Sequence, residues 1–287
     1  MTHELSGRTL GPLLREWRVR RRMSQLELAS DVGISTKHLS FLETGRSRPS
    51  RQMLLRLAAC LDVPLRYRNS MLNAAGFPSI FEEKALGAPD MDLVRRNVEA
   101  ILAAHDPNPA LAVDRHWTMI AANRAVAYLF AGAEPILLRP PVNVMRLLLH
   151  PAGMAARIIN LAEWRAHAIT RLRRQIDSNG DTGLMELLEE IREYPNVPVQ
   201  DPLAERPEPD LLAIPLRVAT MDGVMSFHGT TTSFSIPIDI TVSELSIEAF
   251  LPADGQTAES MRRALGSDDA RPLPRSFAAG DVAGAMV

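Results

Sequence analysis

Along the first 76 positions, apolar residues recur at helical spacing, and the residues between the runs are cap and turn formers. Leu10, Leu13, Leu14 and Trp17 fall at i, i+3, i+4 and i+7, the buried stripe of a helix ending near Arg21. Ser24-Gln25-Leu26-Glu27 reads as a capping box, in which the serine hydroxyl and the glutamate each satisfy a backbone donor left over at a helix start. Leu28, Ala29 and Val32 then face inward, and Gly33 stops the helix. Ser35 caps a third helix over Thr36–Glu43, with Leu39 and Leu42 turned toward the core, and Gly45 ends it. Pro49-Ser50 opens a fourth carrying Leu54, Leu57, Ala58 and Leu61, and Pro64 suits the first turn of a fifth ending at Ala75-Gly76. The pattern predicts an all-α five-helix bundle over residues 1–76, its second and third helices forming a helix-turn-helix.

Residues 77–109 read as a connecting region containing a helix from about Asp90 to Ala104. Beyond it the period changes. Ala110–Asp114 and Trp117–Ala122 are short strand-like runs around Arg115-His116, the pattern of a hairpin. Asn123 begins a helix to about Phe130, and Leu137–Leu149, Gly153–Asp177 and Gly183–Glu193 also read as helical. The proline-rich segment Tyr194–Asp210 predicts an irregular loop. Three strands follow, at about Leu211–Thr220, Gly223–Ser235 and Ile240–Leu251, then a short helix over Ala258–Leu265 and a loose tail over 266–287. Two strands, several helices and three more strands is the element order of a PAS domain. An α+β, PAS-like domain with a five-stranded antiparallel sheet is therefore expected over residues 110–265.

Charge divides the chain at the same place. Residues 1–75 hold 13 Lys+Arg against 6 Asp+Glu, and residues 76–287 hold 19 against 28, although the whole chain is only −2. A small basic domain beside a larger acidic one implies that only the first part meets a polyanion. Cys60 is the single cysteine, which excludes a disulfide within one chain and disfavours a cysteine-based zinc site. The opening residues carry arginines and acids where a signal peptide would be apolar, and no run of about 18 apolar residues occurs, so a cytoplasmic protein with no membrane span is expected. HExxH, Walker and GxSxG motifs are all missing, and neither catalysis, a cofactor nor a metal is expected.

The run Ser24–Ser50, SQLELASDVGISTKHLSFLETGRSRPS, resembles the phage-repressor or Xre-type helix-turn-helix, through its S-Q-x-E-L-A start, G-I-S turn, L-x-x-L-E helix end and G-x-x-x-P exit. The resemblance covers about residues 10–76. It implies a third helix lying in the DNA major groove, presenting Thr36, Lys37, Ser40, Phe41 and Thr44 opposite the buried leucines. Lys37 can donate to guanine O6 and N7, while Thr36 and Ser40 can meet base edges or phosphate. Phe41 departs from the polar residue expected on a reading face; it either touches a thymine methyl or packs against the second helix. The resemblance implies that Gln25 contacts DNA near its backbone and that Arg18 pairs with Glu43, which positions Arg18 toward a phosphate. Ser24, Arg46, Arg48 and Gln52 flank the reading helix as further phosphate contacts, and Arg20, Arg21 and Arg22 add long-range attraction or form a solvated helix end. One helix-turn-helix reads a short half-site, so a homodimer on double-stranded DNA is expected.

Three further stretches, N-P-A-L-A-V-D-R-H-W-T-M-I-A-A-N-R-A, N-L-A-E-W-R-A-H and I-T-V-S-E-L-S-I-E-A-F-L-P-A-D, resemble the MmyB-type ligand-binding domain over about residues 100–265. That resemblance implies a PAS-like pocket for a fatty-acid-like small molecule; spacing and composition do not themselves show a fatty acid. Trp117, Met119, Phe130 and Met145 are bulky apolar candidates to line it, as are Leu148, Met154, Trp164 and Phe227, with Met185 and Met225 beside them. Plain core packing is the competing reading of each. His150, His167 and His228 offer polar anchors, whereas Glu163, Glu244 and Glu248 have no partner evident in the sequence. The expected function is a sequence-specific DNA-binding transcription regulator whose operator affinity responds to a small apolar ligand. The alternative is a regulator whose second domain only dimerises or binds a protein partner.

Overall fold

The computed structural model describes residues 9–195, 214–221, 223–235 and 237–266. These fall into two compact units, one within residues 1–84, 175–180 and 236–243, the other within 85–174, 181–235 and 244–287.

The first unit is built on α1 (Leu10–Arg20), α2 (Gln25–Val32), α3 (Thr36–Glu43), α4 (Arg51–Cys60) and α5 (Leu65–Ala74). Three of these helices start on a serine whose hydroxyl accepts an orphan backbone N–H three residues on: Ser24 from Glu27 at 3.1 Å, Ser35 from His38 at 3.1 Å and Ser50 from Met53 at 3.2 Å. Glu27 completes the capping box by accepting the Ser24 amide at 2.6 Å. Gly33 ends α2 in the left-handed region at φ +72°, a conformation open to glycine at little steric cost. Leu14, Leu28, Leu39, Leu42, Leu54 and Leu57 interlock as the core. Helices α1 and α3 approach closely at Gly11: a side chain there would drive into the Glu43 carbonyl, so only glycine lets the two backbones meet.

The second unit adds α6 (Asp92–Ala104), α7 (Arg124–Leu129), α8 (Val144–Leu149), most of α9 (Leu161–Asn179), α10 (Thr182–Glu193) and α12 (Gly255–Gly266) to a sheet of β1 (Ala110–Val113), β2 (Met119–Ala122), β3 (Leu216–Thr220), β4 (Gly223–Ser233) and β5 (Ser246–Pro252). The sheet is antiparallel throughout, in the order β2-β1-β5-β4-β3. One face carries Ala110, Ala112, Ile247 and Ala249 against Val98 and Leu102 of α6. Directly paired residues share a face, so the pairings Leu111–Glu248, Glu248–Thr231 and Phe250–Gly229 define the other. That face meets α9: Arg171 bonds Glu248 and Thr231, and the Trp164 ring lies 3.6 Å from where a side chain at Gly229 would begin.

Three expected elements differ. Leu137–Leu149 is not one helix; a 3-10 turn over Pro135–Leu138 and then α8 flank Pro140-Pro141, because prolines cannot supply ladder donors. Gly153–Asp177 is likewise interrupted, with a 3-10 turn at Ala155–Arg157 and an extended Ile158 that bridges Val218, so α9 begins only at Leu161. Ile240–Leu251 is not a continuous strand: Asp239 accepts the Val242 amide at 3.3 Å and starts a short helix, α11 (Ile240–Ser243), before β5. The loop at residues 196–210, the strand start at 211–213 and the tail at 267–287 lie outside the described residues. Among the described residues, no helix is long and apolar enough to cross a membrane, and no three His, Cys, Asp or Glu side chains are grouped to hold a metal.

Candidate functional site

Helix α3 is fixed from both ends. Ser35 caps its start, Leu39 and Leu42 bury its inner stripe, and Glu43 at its last turn is buried with its carboxylate bonded by three donors. Arg18 Nε and a terminal nitrogen donate to the two Glu43 oxygens at 2.6 and 2.9 Å, and Gln25 Nε2 donates to one of them at 2.8 Å. The remaining Arg18 nitrogen donates to the Met23 carbonyl at 2.8 Å. Burial alone would raise the Glu43 pKa, but the bonds from Arg18 and Gln25 and the Arg18 charge hold it below the usual carboxylate range. The Arg18–Glu43 pair is therefore an internal brace that orients α3, and Arg18, buried with its nitrogens engaged, acts through that brace.

The outward face of α3 is left open. Lys37 is exposed, Thr36 and Ser40 are half-buried, and none of the three side chains has a hydrogen-bond partner among the described residues. Phe41 is half-buried outside the core cluster, with the Lys37 ammonium 5.7 Å and the Arg46 guanidinium 5.9 Å from its ring centre. Thr44 donates its hydroxyl to the Ser40 carbonyl at 2.8 Å, which keeps its oxygen as an acceptor. Arg46, Arg48 and Gln52 are exposed around the exit of α3. Exposed Ser24 has its amide engaged by Glu27, leaving its hydroxyl proton as a donor. Arg21 donates to the Leu61 and Asp62 carbonyls and Arg20 to Glu16, so both have structural partners.

In the second unit most of the apolar candidates are buried: Trp117, Met119, Phe130, Met145, Leu148, Met154, Trp164 and Phe227. By strand register Met119 and Phe227 share the sheet face that α9 covers, and Trp164 and Trp117 meet that layer through Gly229 and Arg171. Phe130, Met145, Leu148 and Met154 sit in the neighbouring α7–α8 region. Met225 is buried beside Phe227, whereas Met185 is 42% exposed. Trp117 has φ +66°, a strained value for a bulky side chain.

The polar members of this face were the ones sequence reasoning missed. Glu248 is 6% exposed and receives two bonds from Arg171, at 2.7 and 2.6 Å, and one from the Thr231 hydroxyl at 3.2 Å. The Arg171 guanidinium also lies 4.4 Å from the centre of the Trp117 ring. Glu244 comes within 3.8 Å of Arg115, and Glu163 accepts from Asn160 at 3.3 Å, so these carboxylates too have neighbours. The available signal was the setting of Glu248: a carboxylate in a strand apolar on both faces must find a cation. Asp181 is a second buried carboxylate; it starts α10 and accepts from His116 at 3.0 Å. Burial opposes its ionisation, but His116 and Arg115 lower its pKa below the usual range.

The three histidines are placed differently. His150 accepts the Ala152 amide on Nδ1 at 3.0 Å, and the buried Nδ1 of His228 has no partner among the described residues. His167 lies over Trp164 at 5.5 Å, and burial, then the Arg171 and Arg174 charges, push its pKa down.

Two stretches of the chain match known families. Residues 14–68 match the helix-turn-helix family, and residues 94–264 match the MmyB-like transcription regulator ligand binding domain. Over 61 residues, 21% of its length, the chain is 36% identical to the ImmF control region 10 kDa protein of Bacillus phage phi105 and covers 68% of that protein. A solved structure titled "Structure of an RNA-binding Light-Oxygen-Voltage Receptor" aligns over 91% of this chain at 14% identity and a TM-score of 0.26; the chain spans 65% of that protein's length.

Proposed function

The chain belongs to the family of MmyB-like transcription regulators, a DNA-binding regulator with a helix-turn-helix ahead of a ligand-binding-type domain, and from that premise we propose that it binds operator DNA as a two-fold dimer whose affinity is set by a small apolar, fatty-acid-like ligand. The observation that carries the DNA side is α3 itself, braced from behind by Arg18, Gln25 and Glu43 while the side chains of Thr36, Lys37 and Ser40 have no hydrogen-bond partner among the described residues. Lys37 reads a guanine, Thr36 and Ser40 contact adjacent edges, and Arg46, Arg48, Gln52 and the Ser24 hydroxyl hold phosphates. Gln25 and Thr44 face the backbone beside them. The dimer places the second α3 about 34–36 Å away, one turn of DNA. Ligand binding favours one dimer geometry and so shifts operator affinity. Support for a ligand in the second unit comes from the strained Trp117 and the buried ion pair on the sheet face that meets α9.

Binding titrations at several salt concentrations test the DNA side. Lys37→Ala should lose about 1–3 kcal/mol and relax preference at one base position, while Arg46→Ala should weaken all sequences and reduce the salt slope by about 1. A uniform loss in the lysine variant would make Lys37 a phosphate contact. Native mass spectrometry of gently purified full-length chain tests the rest. A dimer with a stoichiometric lipid-like adduct is the expected spectrum, and a monomer would overturn the two-half-site arrangement. A clean dimer would favour the second reading, a domain that only dimerises or binds a protein; the complete burial of Met154 and Phe227 suits that reading.

A further inference from the structure

Packing in the core of the first unit does not account for Phe41. It lies outside the core cluster of the first unit, and two cations approach its ring, Lys37 at 5.7 Å and Arg46 at 5.9 Å. A half-buried aromatic on the outward face of α3 loses its remaining contact with water when that face enters a groove. The floor of the major groove presents hydrogen-bonding edges nearly everywhere, and a phenyl ring pressed on those strips water from polar groups without replacing it. The exception is the C5 methyl of thymine, the apolar group that the groove offers. We propose that Phe41 is a specificity-determining residue that reads a thymine methyl next to the base contacted by Lys37. The inference rests on the DNA-reading role of α3.

The two cations sharpen the assignment. Lys37 lies one turn before Phe41 on α3, and Arg46 follows in the exit loop. The Ser47 amide donates to the Phe41 carbonyl at 3.1 Å, which ties that loop to the end of the helix. The ring thus neighbours a group proposed to reach base edges and a group proposed to reach the backbone, both within cation–ring range. Its target is the pyrimidine between those two contacts, one position in each half-site.

The test separates this reading from DNA binding itself. A random-core duplex library is selected on the full-length chain, and the enriched sequence is resynthesised with each thymine replaced singly by uracil, which removes the methyl and leaves pairing intact. Wild type should lose about fourfold in affinity at one thymine per half-site, the worth of one buried methyl at about 0.8 kcal/mol. Phe41→Ala should bind the thymine and uracil duplexes equally. Replacing that thymine by cytosine and then by 5-methylcytosine should restore part of the loss for wild type alone. Enrichment of a defined sequence with uracil tolerated at every position would overturn the role of Phe41 and leave the DNA reading intact, as would an equal uracil penalty in Phe41→Ala. A library that never enriches would overturn both.

Discussion

Each unit buries one glutamate on an arginine, and the two pairs differ in how they are closed. Glu43 and Glu248 are both under a tenth exposed, and each accepts two bonds from arginine and a third from a neutral side chain, Gln25 or Thr231. The Arg18 side chain is 10% exposed and is also held by the Met23 carbonyl, whereas the Arg171 side chain is 29% exposed and lies on Trp117. The first pair is sealed by its own chain and fixes one geometry. The second keeps one partner partly within reach of solvent. Buried ion pairs add little net stability but are costly to halve, so the first serves to hold α3 in position, while the second has a cation that can turn toward water.

Halving each pair tests that contrast. Glu43→Ala should cost about 3–5 kcal/mol of unfolding free energy, because it strands a buried guanidinium. Glu248→Ala should cost less, about 1.5–3 kcal/mol, since Arg171 can turn to water. Equal losses in urea melts of the two variants would erase the distinction. Ser24→Ala removes one helix cap without touching either pair and should cost about 1 kcal/mol; a loss as large as that of Glu43→Ala would mean the cap also supports the brace. The smallest effect is in acid. The Glu43 pKa is lowered in the folded state, so its contribution is fully present above the unfolded value of about 4.3 and disappears as pH falls through the folded value. Thermal melts from pH 6 to pH 2 should therefore show a steeper acid decline for wild type than for Glu43→Gln.

The same contrast separates what the sequence made legible from what it hid. Helices α1–α5 could be bounded almost to the residue because local chemistry writes their ends: Ser24, Ser35 and Ser50 bond amides three residues ahead, and Gly33 adopts the left-handed turn. The outward face of α3 followed from the spacing of Leu39 and Leu42. Later in the chain, distant partners override local preference. Ile158 looks helical but pairs with Val218, and Asn160 accepts the Arg217 amide at 3.1 Å, so the strand across from them sets where α9 begins. Ile240, Thr241 and Val242 are β-branched and read as strand, yet the Ile240 amide bonds the Glu82 carbonyl at 2.8 Å and Asp239 starts a helical turn. Arg171 and Glu248 stand 77 positions apart, beyond the reach of any periodicity.

The missing side chain at Gly11 bears on how the operator preference can evolve. At Gly11, helix α1 meets the end of α3 through bare backbone, beside the Arg18–Glu43 pair that braces the same joint. The angle at which α3 is presented is thus set by that close approach and by the Arg18–Glu43 brace. If α3 reads DNA as proposed, new preferences should arise by exchanging letters on its outward face, at positions 36, 37, 40 and 41, while variants that read different DNA should still carry the glycine.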